Sequence, residues 1–482
     1  MEQNDHLSSF LRGSTPNDES PARKLFLEML AAIIPTAVYI FSQFMLLVIS
    51  LRFIAQNMPT AAVDGVGIGN TWLAAVYISI VVGLNTGTST FGAQAFGALN
   101  YPMVARYFQR GFILRMINII PSYGLCFASY YIFRAMGVEE SIAWAAWDYC
   151  VHSLAAMIGL ACYDTLKAYV MAHNIFIPPM IAQILIAVVH WLWCILFVEK
   201  LDLGIKGVAY AFAASEFTGA IILTVFIFLN KEFENTRIRP TKESLEGLWN
   251  QFKNEIYVAS FIILEFLAFE CCILVAGQLD ENELAAQALT YSIITILTTP
   301  AIALSTIGTI YIGTSLGQKN ACKARVITKV IVLIAILFWG IQAVVMYTFN
   351  EKVVSFFPVS EHVQKATISG LMTYLYFMPV DIFQCSLTSI LKGVGREKIT
   401  AVLYLIAFYV IGLSMAYVFG VRMEKNTSGI WLGMGIGICS MAAMSGWLLW
   451  KTDYDYQIMK IETRMIEDES LLLMNDESFR EI

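Results

Sequence analysis

Residues 261–279 read FIILEFLAFECCILVAGQL. Apart from Glu265, Glu270 and Gln278 near its end the stretch is apolar, and its length matches the roughly 20 residues that cross a bilayer as one helix. The pattern recurs along the chain. Apolar runs fall at 25–54, 62–96, 104–136, 141–170, 176–198, 205–230, 254–279, 284–315, 324–349, 363–391, 398–421 and 428–450, which makes twelve spans. Composition agrees: of the 482 residues 58% are hydrophobic and 14% charged, against about 25% charged in soluble proteins. No soluble globule can hide that much apolar surface. A disordered chain, a nucleic-acid binder and an ordinary soluble enzyme are excluded, and an all-α integral membrane protein remains.

The longest polar connection is 231–253, KEFENTRIRPTKESLEGLWNQFK. It divides the chain into two six-span bundles, 25–230 and 254–451, flanked by an N-terminal tail 1–24 and a C-terminal tail 452–482. The first 24 residues are polar and the run after them is too long for a signal peptide, so it reads as the first span. The C-terminal tail holds nine acids and three bases and accounts for the whole net charge of −6. With the N-terminus placed in the cytoplasm, only Arg52, Arg134, Lys200, Lys206, Lys352, Lys365, Arg422 and Lys425 lie on the opposite side, eight of 31 basic residues. Basic residues favour the cytoplasmic loops, so both termini and the linker are expected there. The nine cysteines show no metal-ligand spacing and sit mostly in apolar runs, as small core residues do.

An internal repeat supports two related halves. The second run ends GAQAFGALNYPMVARYFQR (92–110) and the eighth ends IGTSLGQKNACKARV (312–326). Gly97 and Asn100 match Gly317 and Asn320 at an offset of 220, and Gly207 matches Gly429 at 222. Each half has an even number of spans, so the two bundles are related by an axis along the membrane normal and enclose a central cavity. The glycines of WLGMGIG (431–437) follow no strand and read as helix-packing residues.

Charged side chains within spans mark function. A carboxylate at the bilayer centre costs about 2.5–3.5 kcal/mol on insertion scales, so it faces a cavity or a partner. Glu265 lies eleven residues into the seventh run, and Asp381, in YLYFMPVDIFQCSLTSILKG (374–393), lies eleven residues before Lys392. Both are then roughly 16 Å deep at 1.5 Å per residue. Glu270 lies further out and about 140° around the helix from Glu265. Such carboxylates can bind protons and cations in turn; interhelical hydrogen bonds between neutral carboxyls are the structural alternative. The first half offers weaker candidates. Asp148 and His152 share a helix face, Asp164 has Lys167 one turn on, Glu216 lies within a span, His190 sits mid-span and fits a hydrogen-bonded core residue, and Gln43 could bond a solute. Tyr291 could line an aromatic wall for a flat cation.

Together, AFGALNYPMVARYFQR, the paired Glu265 and Glu270, the Pro300–Asn320 segment with GTSLGQKN, LDLGIKG (201–207), and Asp381 followed by Lys392, Gly393 and Gly395 resemble the multidrug and toxic compound extrusion (MATE) family of eukaryotic type. The resemblance covers all twelve runs. It implies two pseudo-symmetric six-helix bundles of the multidrug/oligosaccharidyl-lipid/polysaccharide (MOP) superfamily. It also implies a proton-coupled antiporter, not an enzyme, with H⁺ as coupling ion and no cofactor. Carried over by position, its proton- and solute-binding residues would be Glu265, Glu270 and Asp381, with Tyr291, Ser292, Gln43 and His190 beside them. Ser292 stands where mammalian members have an acid, Asp381 where they have a Glu, and no Asp stands near Ser42–Gln43.

The expected cargo is an organic cation, a xenobiotic or a secondary metabolite, carried by a monomer in the lipid bilayer. Organic anions, conjugated metabolites or a lipid flipped by the same fold are the alternatives. A basic cavity would favour the flippase, and the major-facilitator turn G-x-x-x-D-R is absent after the second run. In the acidic tail, Glu467 with Leu471 and Leu472, and Tyr456 to Met459, match short sorting signals read by adaptors. They point to a vacuolar or endosomal membrane, with the plasma membrane as the other destination. Asn426-Thr427-Ser428 fits a glycosylation acceptor on the far side.

Overall fold

The computed structural model describes residues 21–357 and 359–474, so most of the tail 1–24 lies outside the described residues. Twelve helices are long and apolar enough to span a membrane. The first half comprises α1 (Pro21–Asn57), α2 (Thr60–Gly97), α3 (Tyr101–Ala135), α4 (Glu140–His152), α5 (Leu154–Ala172), α6 (Ile177–Lys200) and α7 (Gly204–Leu229). The second comprises α8 (Leu248–Ala276), α9 (Glu281–Gly317), α10 (Ala321–Ser355), α11 (Glu361–Gly393), α12 (Glu397–Arg422) and α13 (Asn426–Trp450). A further helix, α14 (Tyr454–Met474), follows the last span. The chain is a multi-pass, all-helical membrane protein.

The fourth run, read as one helix, breaks at Ser153, whose backbone N–H returns to the Cys150 carbonyl at 3.2 Å. The seventh span starts at Leu248 rather than 254, because Gly247 at φ 69 ends the linker and hands the chain to the helix. Nor is the linker loose. Phe233 is buried, and Thr236 accepts from Tyr169 at 2.5 Å and donates to Nε2 of His173 at 3.0 Å, whose Nδ1 donates to the Tyr169 carbonyl. Burial pushes the His173 imidazole down to about 4, so it stays neutral near pH 7.

The repeat has a physical cause. Gly97 ends α2 and Gly317 ends α9, where the two helices cross. A Cβ on Gly97 would overlap the carbonyl of Thr314, and one on Gly317 would overlap the carbonyl of Gln94. These two contacts exchange under the offset of 220, so the two-fold axis runs through this crossing. Asn100 and Asn320 then cap the next helices, accepting from the N–H groups of Met103 at 3.2 Å and Lys323 at 2.8 Å. The second offset repeats equally well. A Cβ on Gly207 would stand 2.8 Å from the Phe197 carbonyl, and one on Gly429 2.5 Å from the Phe419 carbonyl. Phe197 and Phe419 differ by the same 222 residues and both lie in π-turns.

The end of the molecule that carries the linker and α14 is the linker face. There the two bundles are clasped: Thr88 bonds Glu255 at 2.6 Å, Gln94 bonds the Gly393 carbonyl at 3.0 Å, and Gln251 bonds the Tyr107 carbonyl at 2.8 Å. Residues 60–73, the far-face half of α2, pack chiefly on α4 within their own bundle. The acidic tail builds α14 and straddles the seam. Arg464 bonds Gln94 at 2.5 Å, Asp468 accepts from Tyr107 at 2.8 Å and Glu469 from Asn100 at 2.5 Å, all on the first bundle. Glu462 pairs with Lys319, Asp455 with Arg325 at 3.1 Å, and Tyr454 with Thr328 at 2.8 Å on the second. Asp468 is 7% exposed and Asp455 is exposed, so their losses should differ. Asp468→Ala strands the buried Tyr107 hydroxyl and is expected to destabilise by about 1–3 kcal/mol. Asp455→Ala should stay within about 0.5 kcal/mol. Thermal unfolding in detergent checks both.

Candidate functional site

The second bundle brings two of the three expected carboxylates together. Glu265 on α8 accepts from Tyr404 of α12 at 3.3 Å, and Tyr404 accepts from Gln384 of α11 at 2.7 Å. Asp381, 6% exposed, accepts from Tyr374 two turns back on α11 at 2.8 Å. Tyr374 in turn packs edge-on to Trp431 of α13, ring centroids 5.5 Å apart. Asp381 and Lys392 both lie within electrostatic reach of Glu265, and Lys392 donates to Ser305 of α9 at 3.0 Å. Two carboxylates and one ammonium thus share a buried site, one negative charge in excess when all are ionised. Such a set can exchange one proton or one cation.

Lys392 had marked the membrane boundary in the sequence, but it is buried. Eleven residues advance a helix by about three turns plus 20°, so Lys392 shares the face of Asp381. Tyr374, seven residues before Asp381, shares it too, and both were legible from spacing alone. Tyr404, Gln384 and Ser305 carry no such signal, because they come from other helices or from polar positions with no charge to mark them.

The other candidates lie elsewhere. Glu270 is partly buried, and among the described residues no hydrogen bond ties it to Glu265 or Asp381. Tyr291 lies within reach of both Glu270 and Glu265 and stacks on Phe269 at 6.0 Å. Ser292 is exposed and donates to its own helix at the Ala288 carbonyl, 2.9 Å away. Gln43 is partly buried on α1 in the other bundle. His190 is fully buried in that bundle and fixed between Ser50 at 2.9 Å and Ser215 at 3.0 Å. It is a satisfied core histidine, remote from the carboxylate pair. Asp148 meets His152 at 3.2 Å and Lys206 at 3.9 Å near the far face. Asp164 pairs with Lys167, whose ammonium also lies 4.8 Å from the Tyr39 ring centre. In α14, Gln457 and Ile458 of the Tyr456–Met459 motif are buried, so that motif is not an extended free strand. The helix runs on through Leu471 and Leu472, whose side chains lie outside the described residues. No cluster of three metal-ligating side chains occurs among the described residues.

The model of the MatE family matches residues 35–196 and 259–418, one segment in each bundle. The chain belongs to the MatE family. Among its relatives, Protein DETOXIFICATION 14 of Arabidopsis thaliana is 23% identical over 438 residues, covering 89% of this chain and 88% of that protein. Multidrug and toxin extrusion protein 1 of Oryctolagus cuniculus is 23% identical over 365 residues, covering 76% and 64%. The crystal structure of the eukaryotic MATE transporter AtDTX14 superposes with a TM-score of 0.86 at 21% identity, covering 92% of this chain and 98% of that one. A MATE in the bent conformation gives 0.76 at 18% identity, covering 94% and 100%. The MatE fold puts Glu265 and Asp381 in the second lobe of a transporter, with Thr88 and Glu255 on the seam between lobes.

Proposed function

We propose that this MatE protein is a proton-coupled antiporter that exports amphipathic organic cations by alternating access. The observation that carries the reading is that Asp381 of α11 and the ammonium of Lys392 both lie within electrostatic reach of Glu265 of α8, whose carboxylate accepts from Tyr404. Protons and a cationic solute would compete for the negative charge in excess. The solute binds while the carboxylates are ionised; the lobes rock; protons entering from the far side neutralise the pair and release it. Coupling requires that H⁺ and solute prefer different states, since a ligand indifferent to the two states moves neither. The extrusion and detoxification named for the relatives support efflux of a foreign or toxic solute. The basic bias of the loops supports a cytoplasmic linker face, with lobes 25–230 and 254–451, in a plasma or vacuolar/endosomal membrane.

The test is reconstitution in vesicles carrying a pH gradient and a trapped pH dye. Addition of a quaternary or tertiary ammonium solute is expected to collapse the gradient in proportion to its uptake. A gradient collapsed by conjugated organic anions and untouched by cations would transfer the reading to the anion class. A gradient untouched by either would end the proton-coupled one.

A further inference from the structure

Besides Asp164 and Lys167, which lie within the first lobe, a further buried charge pair stands outside the carboxylate site. Arg115 on α3 is fully buried in the first lobe, and Glu255 on α8, in the second, is equally buried. Each lies within electrostatic reach of the other, and Thr88 of α2 stands between them. The Thr88 hydroxyl accepts from Arg115 at 3.1 Å and donates to Glu255 at 2.6 Å. Asn85 at 2.6 Å and Thr165 at 3.0 Å hold the rest of the Arg115 fork within its own lobe. On the other side Gln251 bonds Glu255 at 2.8 Å and reaches across to the Tyr107 carbonyl. Among the described residues, Glu255 Oε2 and Arg115 Nε have no hydrogen-bond partner.

The backbone is arranged to allow this contact. A Cβ on Gly87 would stand 2.8 Å from Glu255 Cγ, and one on Gly83 would overlap Ala259 one turn on. Small residues let α2 approach α8 closely enough for the short Thr88 side chain to span the seam. A buried ion pair seldom outdoes plain apolar packing in stability, and its best-attested use is to specify one of two arrangements. Here the charges belong to different lobes, and Glu255 sits seven residues into α8 from the linker face. Separating the lobes on that face admits water, which can solvate both charges.

We propose that Glu255, Thr88 and Arg115 are positioning residues for transport: a charge lock that holds the lobes together on the linker face and must break for the carrier to open there. The proposal rests on the alternating-access reading but not on which ion or solute is carried. Its test therefore reads conformation rather than transport. Backbone hydrogen–deuterium exchange of the full chain in lipid nanodiscs is compared for the unmodified protein, Glu255→Gln and Thr88→Val. Both variants keep side-chain size while removing the charge or the bridging hydroxyl. Loss of a lock present in one state only is expected to raise exchange over 86–97 and 248–259 by roughly tenfold, the scale set by bonds to charged groups. Exchange over 60–73 and 264–276, on the far face, is expected to slow. Mere loosening of the fold would speed exchange on both faces. Faster exchange on both faces, or no change on either, overturns the lock. If Glu255→Gln does not fold, Thr88→Val alone decides. Failure of the unmodified protein to move protons would instead strike the transport reading and leave this outcome standing.

Discussion

Glu265→Gln and Asp381→Asn are each expected to reduce pH-driven accumulation of a fluorescent organic cation to the level of empty vesicles. Each substitution preserves shape and can still accept the hydrogen bond from Tyr404 or Tyr374. What each loses is the ability to take up and release a proton. Glu265 and Asp381 share one electrostatic neighbourhood with Lys392, so neutralising either leaves a site with one carboxylate against one ammonium. The excess negative charge that would hold either a proton or a cationic solute is then gone. Glu270→Gln is the informative comparison. The sequence ranks Glu270 with the other two, but among the described residues it shares no hydrogen bond with them, and Tyr291 lies within reach of both Glu270 and Glu265. It is expected to keep most of the transport rate. Uptake at the unmodified rate in both Glu265→Gln and Asp381→Asn would dismiss the pair as the coupling site, and loss in Glu270→Gln alone would move that role outward.

The contrast between Glu265 and Glu270 shows how far the sequence can be read. Twelve spans and a two-fold repeat were legible because burial in lipid demands long apolar runs and because the crossing of α2 and α9 tolerates only glycine at Gly97 and Gly317. The 140° between Glu265 and Glu270 was visible as helical geometry, but the depth of Glu265 and Asp381 was counted from boundaries that the structure moves, since α8 begins at Leu248 and Lys392 is buried. Which carboxylate meets Asp381 was not legible, because that depends on how α8 is rotated against α11 and α12. The sequence also misplaced the start of α8, and so set Glu255 at the membrane edge rather than seven residues inside a helix. Arg115 falls inside the third run and Glu255 at the edge of the seventh, and no local signal connects them. The contacts of the acidic tail were not legible either: Asp468 and Glu469 are engaged by the first lobe and Asp455 and Glu462 by the second. Those partners lie more than a hundred residues away in sequence.

Gly317→Leu is expected to abolish transport while leaving each lobe folded. The clash it creates is at Cβ and against the Gln94 carbonyl of the other lobe, so no rotamer relieves it. Both sides of the contact are helix backbone, and relief requires the lobes to part at the linker face. Overpacking a close contact costs typically about 1–3 kcal/mol, enough to move a near-balanced pair of states by roughly five- to 150-fold. Gly97→Val should act alike through Thr314, because the two contacts are images of one another. Gly340→Leu is the control, since no atom outside its own helix lies within 4 Å of a Cβ there. These variants differ in kind from those of the Thr88–Glu255 lock. Removing the lock eases opening but still lets the lobes close, so solute can be carried at an altered rate. A side chain at Gly317 prevents closure itself, and a carrier that cannot close on one face cannot complete a cycle. Transport by Gly317→Leu at the rate of the unmodified protein would mean that the lobes never need the contact between Gly317 and Gln94, and alternating access about the α2–α9 crossing would have to be abandoned.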